Sequence, residues 1–145
     1  MKSNGRRPIS SEPTESSRSE QAQRSLYHAC LCARVADDYR GRDTLVLDLT
    51  SITPVFDYFV LTTGTSRRQM HAIAEEVDRI LKAEGSSRQG IEGYANSVWI
   101  LQDYGDVVLH VFAPEARALY DLEHLWADAP RIDWQRQIDK AQPAS

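Results

Sequence analysis

The chain has 145 residues, of which 41% are hydrophobic and 26% are charged, and its formal net charge is −4. A chain of this length is one domain's worth and can bury a core without metal ions or disulfides. The negative charge excludes a basic surface over the whole molecule, and no apolar run approaches the roughly 20 residues that span a bilayer. We therefore expect neither a membrane nor sequence-specific nucleic acid among the partners.

The N-terminal segment, residues 1–19, is predicted to be a disordered tail. It is rich in Ser, Pro, Glu and Arg and has almost nothing to bury, so it cannot offset the entropy lost on ordering. It lacks the apolar region of a secretory signal. Its Ser and Arg content is typical of organelle transit peptides, but Glu12, Glu15 and Glu20 count against one. The bacterial cytoplasm is the simpler expectation.

The first half of the domain alternates helix and strand signals. Apolar residues at helical spacing predict a helix from about Glu20 to Tyr39, and Gly41 ends it. Its Cys30 and Cys32 are two residues apart and point to different sides of the helix, which argues against a disulfide. Ser66 and Gln69 have the spacing of a capping box at the start of the next helix. The predicted elements are strands at Thr44–Leu49 and Tyr58–Thr62 and a helix from Ser66 to about Glu84.

The second half contains a predicted hairpin followed by a helix. The runs Val98–Gln102 and Val107–Phe112 are β-rich and are joined by Asp103, Tyr104, Gly105 and Asp106. Pro114 ends the second strand. One helix is then predicted over Glu115–Trp126, with an apolar face of Leu119, Leu122, Leu125 and Trp126.

These elements, with a weak strand at Arg88–Glu92, predict an α/β fold. We expect a single mixed β-sheet of about five strands with helices packed on it. The domain is predicted to span residues 20–128, and residues 129–145 are expected to be a weakly ordered extension.

Two features of the sequence admit a catalytic interpretation. The TTGTS segment at 62–66 lies between a strand and a helix, where phosphate groups bind in many proteins, but it lacks the Walker and GxGxxG spacings. Asp103 and Asp106 could hold Mg²⁺, although Asp is also an ordinary turn residue. The alternative function is thus a divergent metal-dependent nucleotidyl or phosphoryl transferase. His110, inside a strand, is interpreted as a structural residue.

Several aromatic and aliphatic residues in this half are candidates for a binding surface. Trp99, Leu101 and Asp103 share one face of their strand, while Val98, Ile100 and Gln102 share the other. An exposed Trp beside carboxylates is typical of a protein-binding hot spot. The alternation alone is equally compatible with burial of Trp99 in the core.

The chain resembles the ribosomal silencing factor, or Iojap, family. The resemblance covers roughly Ser25 to Asp128. It is carried by several motifs in the family's order, namely DYFVLTTGTS (57–66), IEGY (91–94), WILQDYGDVVLHVF (99–112) and PEARALYDLEHLW (114–126).

The resemblance implies a fold like that of nucleotidyltransferases but no enzymatic activity and no cofactor. It implies a protein that binds the large ribosomal subunit through its protein fourteen, blocks joining of the small subunit and so represses translation when nutrients are limiting. It also implies that the free protein can form a homodimer. The partner-binding residues expected from the family motifs and the hairpin are Trp99, Leu101, Asp103, Tyr104, Gly105, Asp106, Tyr120, Leu122, Glu123, Leu125 and Trp126.

Overall fold

The computed structural model describes residues 14–141, which form one five-stranded sheet and five helices. The strands are β1 (Arg42–Asp48), β2 (Tyr58–Thr63), β3 (Gly90–Glu92), β4 (Trp99–Asp103) and β5 (Val107–Phe112). The helices are α1 (Glu15–Asp38), α2 (Arg67–Ala83), α3 (Pro114–Tyr120), α4 (Leu122–Leu125) and α5 (Trp134–Ala141). None of the helices in this described part is long and apolar enough to cross a membrane.

The sheet is mixed, as predicted, with the strand order β1-β2-β5-β4-β3. Strand β2 pairs in parallel with the central strand β5, and the other pairings are antiparallel. Strands β4 and β5 form the predicted hairpin, with Trp99 opposite Phe112 and Asp103 opposite Val108. Both β2 and β5 are buried along their whole length, which agrees with their continuous apolar sequences.

Helices α1 and α2 cover one face of the sheet, which we call the inner face. The apolar stripe of α2, which includes Met70, Ile73 and Val77, is buried there with the inward residues of β5. Cys30 and Cys32 lie in the same core as free thiols, and burial raises the pKa of Cys30 to about 11. The amphipathic pattern of α2 therefore predicted correctly which of its residues pack in the core.

At the start of α2, the hydrogen bond to the Ser66 side chain is as the predicted capping box requires, but the hydrogen bond to the Gln69 side chain is not. The Ser66 hydroxyl accepts a hydrogen bond from the Gln69 N–H, at 3.1 Å, as expected. The Gln69 side chain, however, accepts from the N–H of Thr65 rather than from that of Ser66. Its amide nitrogen donates to the carbonyl oxygens of Tyr39 and Arg40. Gln69 therefore connects the start of α2 to the loop after α1.

Both ends of the described chain are more ordered than the sequence indicates. Helix α1 begins at Glu15, five residues before its predicted start, and Thr14 caps it by accepting from the Ser17 N–H. Residues 1–13 of the predicted tail lie outside the described residues. At the other end, the segment predicted to be weakly ordered packs on the core: Ile138 of α5 is buried beside α1, and Arg131 pairs with Leu47.

Candidate functional site

In the described part of the chain, the second face of the sheet, here called the outer face, is covered by the short helices α3 and α4, the segment after them and the loop between β1 and β2. Its buried centre includes Phe59, Leu61, Val108 and Phe112. Strand alternation directs Ile100 and Gln102 of β4 to the inner face, where both are fully buried. Trp99 and Leu101 therefore point to the outer face, where both are only partly buried. This open face is the candidate binding site.

Trp99 occupies a fixed position on the outer face. Its ring stacks on Phe112 at a centroid distance of 5.0 Å and contacts Tyr120 at 4.7 Å. Its indole N–H donates a hydrogen bond to Nδ1 of His110, at 3.1 Å. Two contacts from β5 and one from α3 thus orient the Trp99 ring before any partner binds.

His110 lies beneath Trp99 and is almost fully buried. Burial lowers its pKa to about 3, so the imidazole is neutral at physiological pH. Because Nδ1 accepts the Trp99 N–H, the ring proton is on Nε2. That Nε2–H has no hydrogen-bond partner among the described residues. His110 is therefore a structural residue, as the sequence predicted, but one that leaves a buried donor unsatisfied.

The aromatic contacts continue across the outer face from Trp99. His110 touches Phe59 at 4.5 Å, and Phe59 in turn touches Trp126 at 5.9 Å and Phe56 at 5.3 Å. We call this set the aromatic row; it consists of Phe56, Phe59, Trp99, His110, Phe112, Tyr120 and Trp126. Phe56 and Phe59 were missed in the sequence, because their role depends on the β2–β5 pairing rather than on a local motif.

The predicted single helix over Glu115–Trp126 is wrong, because the chain breaks at Asp121. Asp121 adopts a left-handed conformation with φ 47°, which ends α3 and begins α4. The four residues predicted to share an apolar face consequently separate. Leu122 is buried, whereas Leu119 and Leu125 are 76% and 69% exposed. Tyr120, which is half exposed, lies against Trp99.

Arg117 attaches this broken helix to the sheet. Its guanidinium donates to both carboxylate oxygens of Glu123, to the hydroxyl of Thr63 and to the carbonyl of Asp43. Burial by itself raises the pKa of Glu123, but the hydrogen bonds and the charge of Arg117 outweigh it and leave the pKa below its ordinary value. Glu123 was predicted to face a basic partner. In the structure, its charge is already compensated within the chain.

The residues of the β4–β5 turn do not join the aromatic row. Asp103 is four residues from Trp99 on β4, which is about 13 Å along a strand. Its carboxylate accepts from the N–H of Gly105, which has φ 91°. Asp106 accepts from the Ser25 hydroxyl of α1, on the inner side. The structure therefore divides the predicted site into an aromatic part and an acidic turn.

Tyr104 was expected to bind a partner, but it is buried in the structure. Its ring lies in the inner core and only 4% of the residue is exposed. Its hydroxyl accepts from Gln102 at 3.0 Å and donates to Asp78 at 3.1 Å. Burial, and next the charge of Asp78, raise the pKa of this phenol. Tyr104 stabilises the hairpin against α2 and presents no surface to a partner.

The TTGTS segment, Asp103 and Asp106, which suggested a transferase, form hydrogen bonds and packing contacts within the chain. The N–H and the hydroxyl of Thr65 both donate to Gln69, and the Gly64 N–H donates to the carbonyl of Phe112. A side chain at position 64 would collide with Met70, whose Cγ lies 2.5 Å from the added carbon, so this glycine serves packing. Asp103 and Asp106 bond different segments, and the described residues contain no cluster of three or more potential metal ligands. The transferase interpretation is not favoured.

Comparisons with known proteins agree on one family. Residues 20–145 match the sequence model described as "Ribosomal silencing factor during starvation". The ribosomal silencing factor RsfS of Bacillus subtilis is 42% identical over 103 residues, which are 71% of this chain and 87% of that protein. The RsfS of Halalkalibacterium halodurans is 37% identical over 103 residues, covering 71% and 88% of the two chains.

Relatives from organelles and solved structures extend this likeness. "Mitochondrial assembly of ribosomal large subunit protein 1" of mouse is 35% identical over 89 residues, which are 59% of this chain and 39% of that protein. A crystal structure of a Chromobacterium violaceum protein matches with a TM-score of 0.65 and 39% identity, covering 67% of this chain and 81% of its own. A Bacillus halodurans structure matches with a TM-score of 0.62 and 35% identity, covering 71% and 93%.

Proposed function

This chain belongs to the ribosomal silencing factor family, and on that premise we propose that it represses translation by binding the large ribosomal subunit and obstructing the small one. The binding partner is the subunit's protein fourteen, and the bound domain occupies space that the small subunit needs. The family description refers to starvation, and the mouse relative is named for assembly of the large subunit. The first description supports silencing of the ribosome, and the second supports a partner on the large subunit.

The observation that carries this proposal is the preset orientation of Trp99 within the aromatic row. Binding energy at protein interfaces is concentrated in a few aromatic anchors, and anchors that are already ordered lose less entropy on binding. Trp99 is ordered by Phe112, Tyr120 and His110, yet part of it faces solvent. Tyr120 and Leu125, both exposed, extend the apolar area beside it.

The remaining residues of the expected site take supporting parts in this proposal. Leu122 and Trp126 pack beneath the surface, and Leu101 widens it along β4. Asp103, Gly105 and Asp106 form a separate acidic turn that would meet the basic side chains of a ribosomal protein at the far end of the sheet. The mechanism is steric, requires neither catalytic residues nor a cofactor, and takes place in the bacterial cytoplasm.

Co-sedimentation with isolated ribosomal subunits tests the proposal directly. The purified protein is expected to pellet with the large subunit and not with the small one. Adding the small subunit to the preformed complex should then yield fewer joined ribosomes than the large subunit alone yields. An absence of binding to the large subunit, or normal joining in the presence of saturating protein, would contradict the proposal.

The variant Trp99→Ala tests the anchor itself. Truncating a central aromatic anchor costs on the order of 2–4 kcal/mol, which is roughly 30- to 1,000-fold in affinity. Trp134→Ala is a matched control, because Trp134 is also half-buried but lies on the inner face, where its N–H donates to Thr44. Binding of both variants to large subunits is measured after circular dichroism has verified their fold. Equal affinity of Trp99→Ala and the parent would remove Trp99 from the interface.

A further inference from the structure

Four exposed arginines lie together where β1 begins and β2 ends. Arg42 opens β1 and pairs with Thr63, the last residue of β2. Arg40 precedes it, and Arg67 and Arg68 open α2 just after β2. We call this group the arginine end; its members are Arg40, Arg42, Arg67 and Arg68. None of the four guanidinium groups makes a hydrogen bond or ion pair within residues 14–141.

Four other arginines of the described chain lie beside carboxylates. Arg34, Arg79, Arg88 and Arg117 each pair with an Asp or Glu. Arg131 and Arg136 also lack a paired carboxylate, so the arginine end is distinguished by having four unpaired guanidinium groups in two adjoining segments of the described chain. In the two segments concerned, residues 39–43 and 63–69, the sole acidic residue is Asp43.

Gln69 fixes these two segments against each other. Its amide nitrogen donates to the carbonyls of Tyr39, at 3.0 Å, and Arg40, at 2.8 Å, while its oxygen accepts from Thr65 at 2.7 Å. Gly41 lies so close to β2 that an added side-chain carbon would be 2.3 Å from the Thr62 hydroxyl. These contacts hold the two backbone segments that bear the arginines in place and side by side.

The position of Arg67 and Arg68 is unfavourable for helix stability. The N-terminus of a helix carries partial positive charge and is stabilised by acidic residues. The first turn of α2 contains no acidic residue and begins with two arginines instead. Stability of the folded chain therefore does not explain why these charges are there, and an external anion would compensate both them and the helix.

The acidic residues of the sheet gather at its opposite end. The pairing of β1, β2, β4 and β5 places Asp48, Asp57, Asp103 and Asp106 there. Burial, and next the charge of Asp106, raise the pKa of Asp57, in keeping with close carboxylates. The four arginines and these four carboxylates therefore lie at opposite ends of the sheet.

We propose that the arginine end binds the phosphate backbone of large-subunit RNA, as a second contact beside the protein-binding aromatic row. Phosphate groups spaced along a strand match guanidinium groups presented from separate segments, since Arg recognises phosphate with paired N–H donors. Tyr39, which is 40% exposed beside Arg40, offers a ring on which a base can stack. This inference rests on the proposed function, because the RNA is a part of the same subunit.

Charge-removing variants test the contact. The variant Arg67→Gln/Arg68→Gln removes two positive charges from the arginine end. The control variant Arg136→Gln/Lys140→Gln removes two positive charges from the exposed surface of α5. Binding of each protein to isolated large subunits is measured over a range of salt concentrations, and binding to purified protein fourteen is measured in parallel. Chemical footprinting of the subunit RNA is recorded with and without each protein.

We expect the Arg67/Arg68 variant to bind large subunits roughly 10-fold more weakly, with a salt slope smaller by about 1–2, because each lost phosphate contact removes about 0.7–0.9. The control should match the parent. Binding to protein fourteen should not change, and the melting temperature should not fall, because the variant relieves repulsion at the helix N-terminus. The parent should protect an RNA segment that the variant leaves exposed.

Each other outcome has a distinct meaning. Unchanged subunit binding and salt slope in the Arg67/Arg68 variant overturn the RNA contact while the proposed function stands. Weaker binding with no RNA segment protected by the parent also overturns it and assigns the arginines to an acidic ribosomal protein. If the parent itself does not bind large subunits, the proposed function fails and this inference fails with it.

Discussion

His110 has two opposed effects on the molecule. Its Nδ1 accepts the Trp99 N–H and so orients the ring that the proposed interface needs. Its Nε2–H is buried without a partner among the described residues, which costs about 1–3 kcal/mol for such a group. A residue that stabilises the position of Trp99 at the expense of the fold is expected to affect binding and stability in opposite directions.

Substitution of His110 separates these two effects. His110→Leu removes both the acceptor and the unsatisfied donor, so we expect unchanged or higher stability and several-fold weaker binding to large subunits. His110→Asn keeps an acceptor near the position of Nδ1 and should retain more of the affinity. Urea unfolding and subunit binding of both variants are the measurements. A parallel loss of stability and affinity in His110→Leu would show that His110 only supports the fold.

The lowered pKa of His110 also makes stability depend on pH. The unfolded chain binds a proton below pH 6.5, whereas the folded chain does so only near pH 3. Stability is therefore lost as the pH falls from 6.5, by about 2 kcal/mol from this group between pH 7 and 5. Unfolding free energies of the parent and His110→Leu at these two pH values test this. His28, whose pKa burial also lowers, contributes equally to both proteins. An identical pH dependence in the two would contradict the expectation.

The break between α3 and α4 depends on the backbone of one residue. A left-handed conformation costs most residues about 1–2 kcal/mol relative to glycine, and Asp121 adopts it at φ 47°. The break brings Tyr120 against Trp99 and leaves Leu125 exposed. The shape of the candidate surface is thus set by a local backbone conformation that apolar spacing does not report.

Substitutions at Asp121 measure this dependence. Asp121→Gly should keep the break and preserve or raise the stability, because glycine adopts positive φ without strain. Asp121→Val should lower the stability by about 1–2 kcal/mol, since a β-branched residue is poorly tolerated there. Thermal unfolding of the two variants is the measurement. Equal stability of the two would mean that α3 and α4 can join into one helix without loss.

The sequence predicted the regular elements better than the site. Alternation and helical spacing located β2, β5 and α2 within about a residue, since one pattern of burial governs each element. The same reasoning grouped Trp99 with Asp103 because alternation puts both on one strand face, although the rise of four residues separates them by the length of β4. It also grouped Tyr104 with the surface, although strand geometry turns that ring into the inner core.

At the scale of the whole molecule, the distribution of charge matters more than its sum. The formal charge of −4 indicated a protein that avoids phosphate groups. The fold instead gathers unpaired arginines at one end of the sheet and carboxylates at the other. Net charge follows from composition, but this separation requires the strand order.

The exposed apolar residues predict self-association of the free protein. Tyr120, Leu119 and Leu125 lie on adjoining short helices and are at least half exposed, and such residues are commonly covered by a partner. Sedimentation velocity over a range of concentrations should show a reversible dimer, and Tyr120→Ser/Leu125→Ser should shift it towards monomer. A parent that stays monomeric at high concentration would contradict this. If the dimer uses the ribosome-binding surface, large subunits should dissociate it.

Helix α1 extends the described part of the chain beyond the sheet. Residues 15–24 are exposed on every side and extend about 15 Å along the helix axis. They precede Ser25, which bonds Asp106 at the acidic end of the sheet, so this polar rod points away from the arginine end. A protein that blocks subunit joining by occupying space has to project far, but its projecting part does not have to bind the small subunit. A capped helix projects far with few residues.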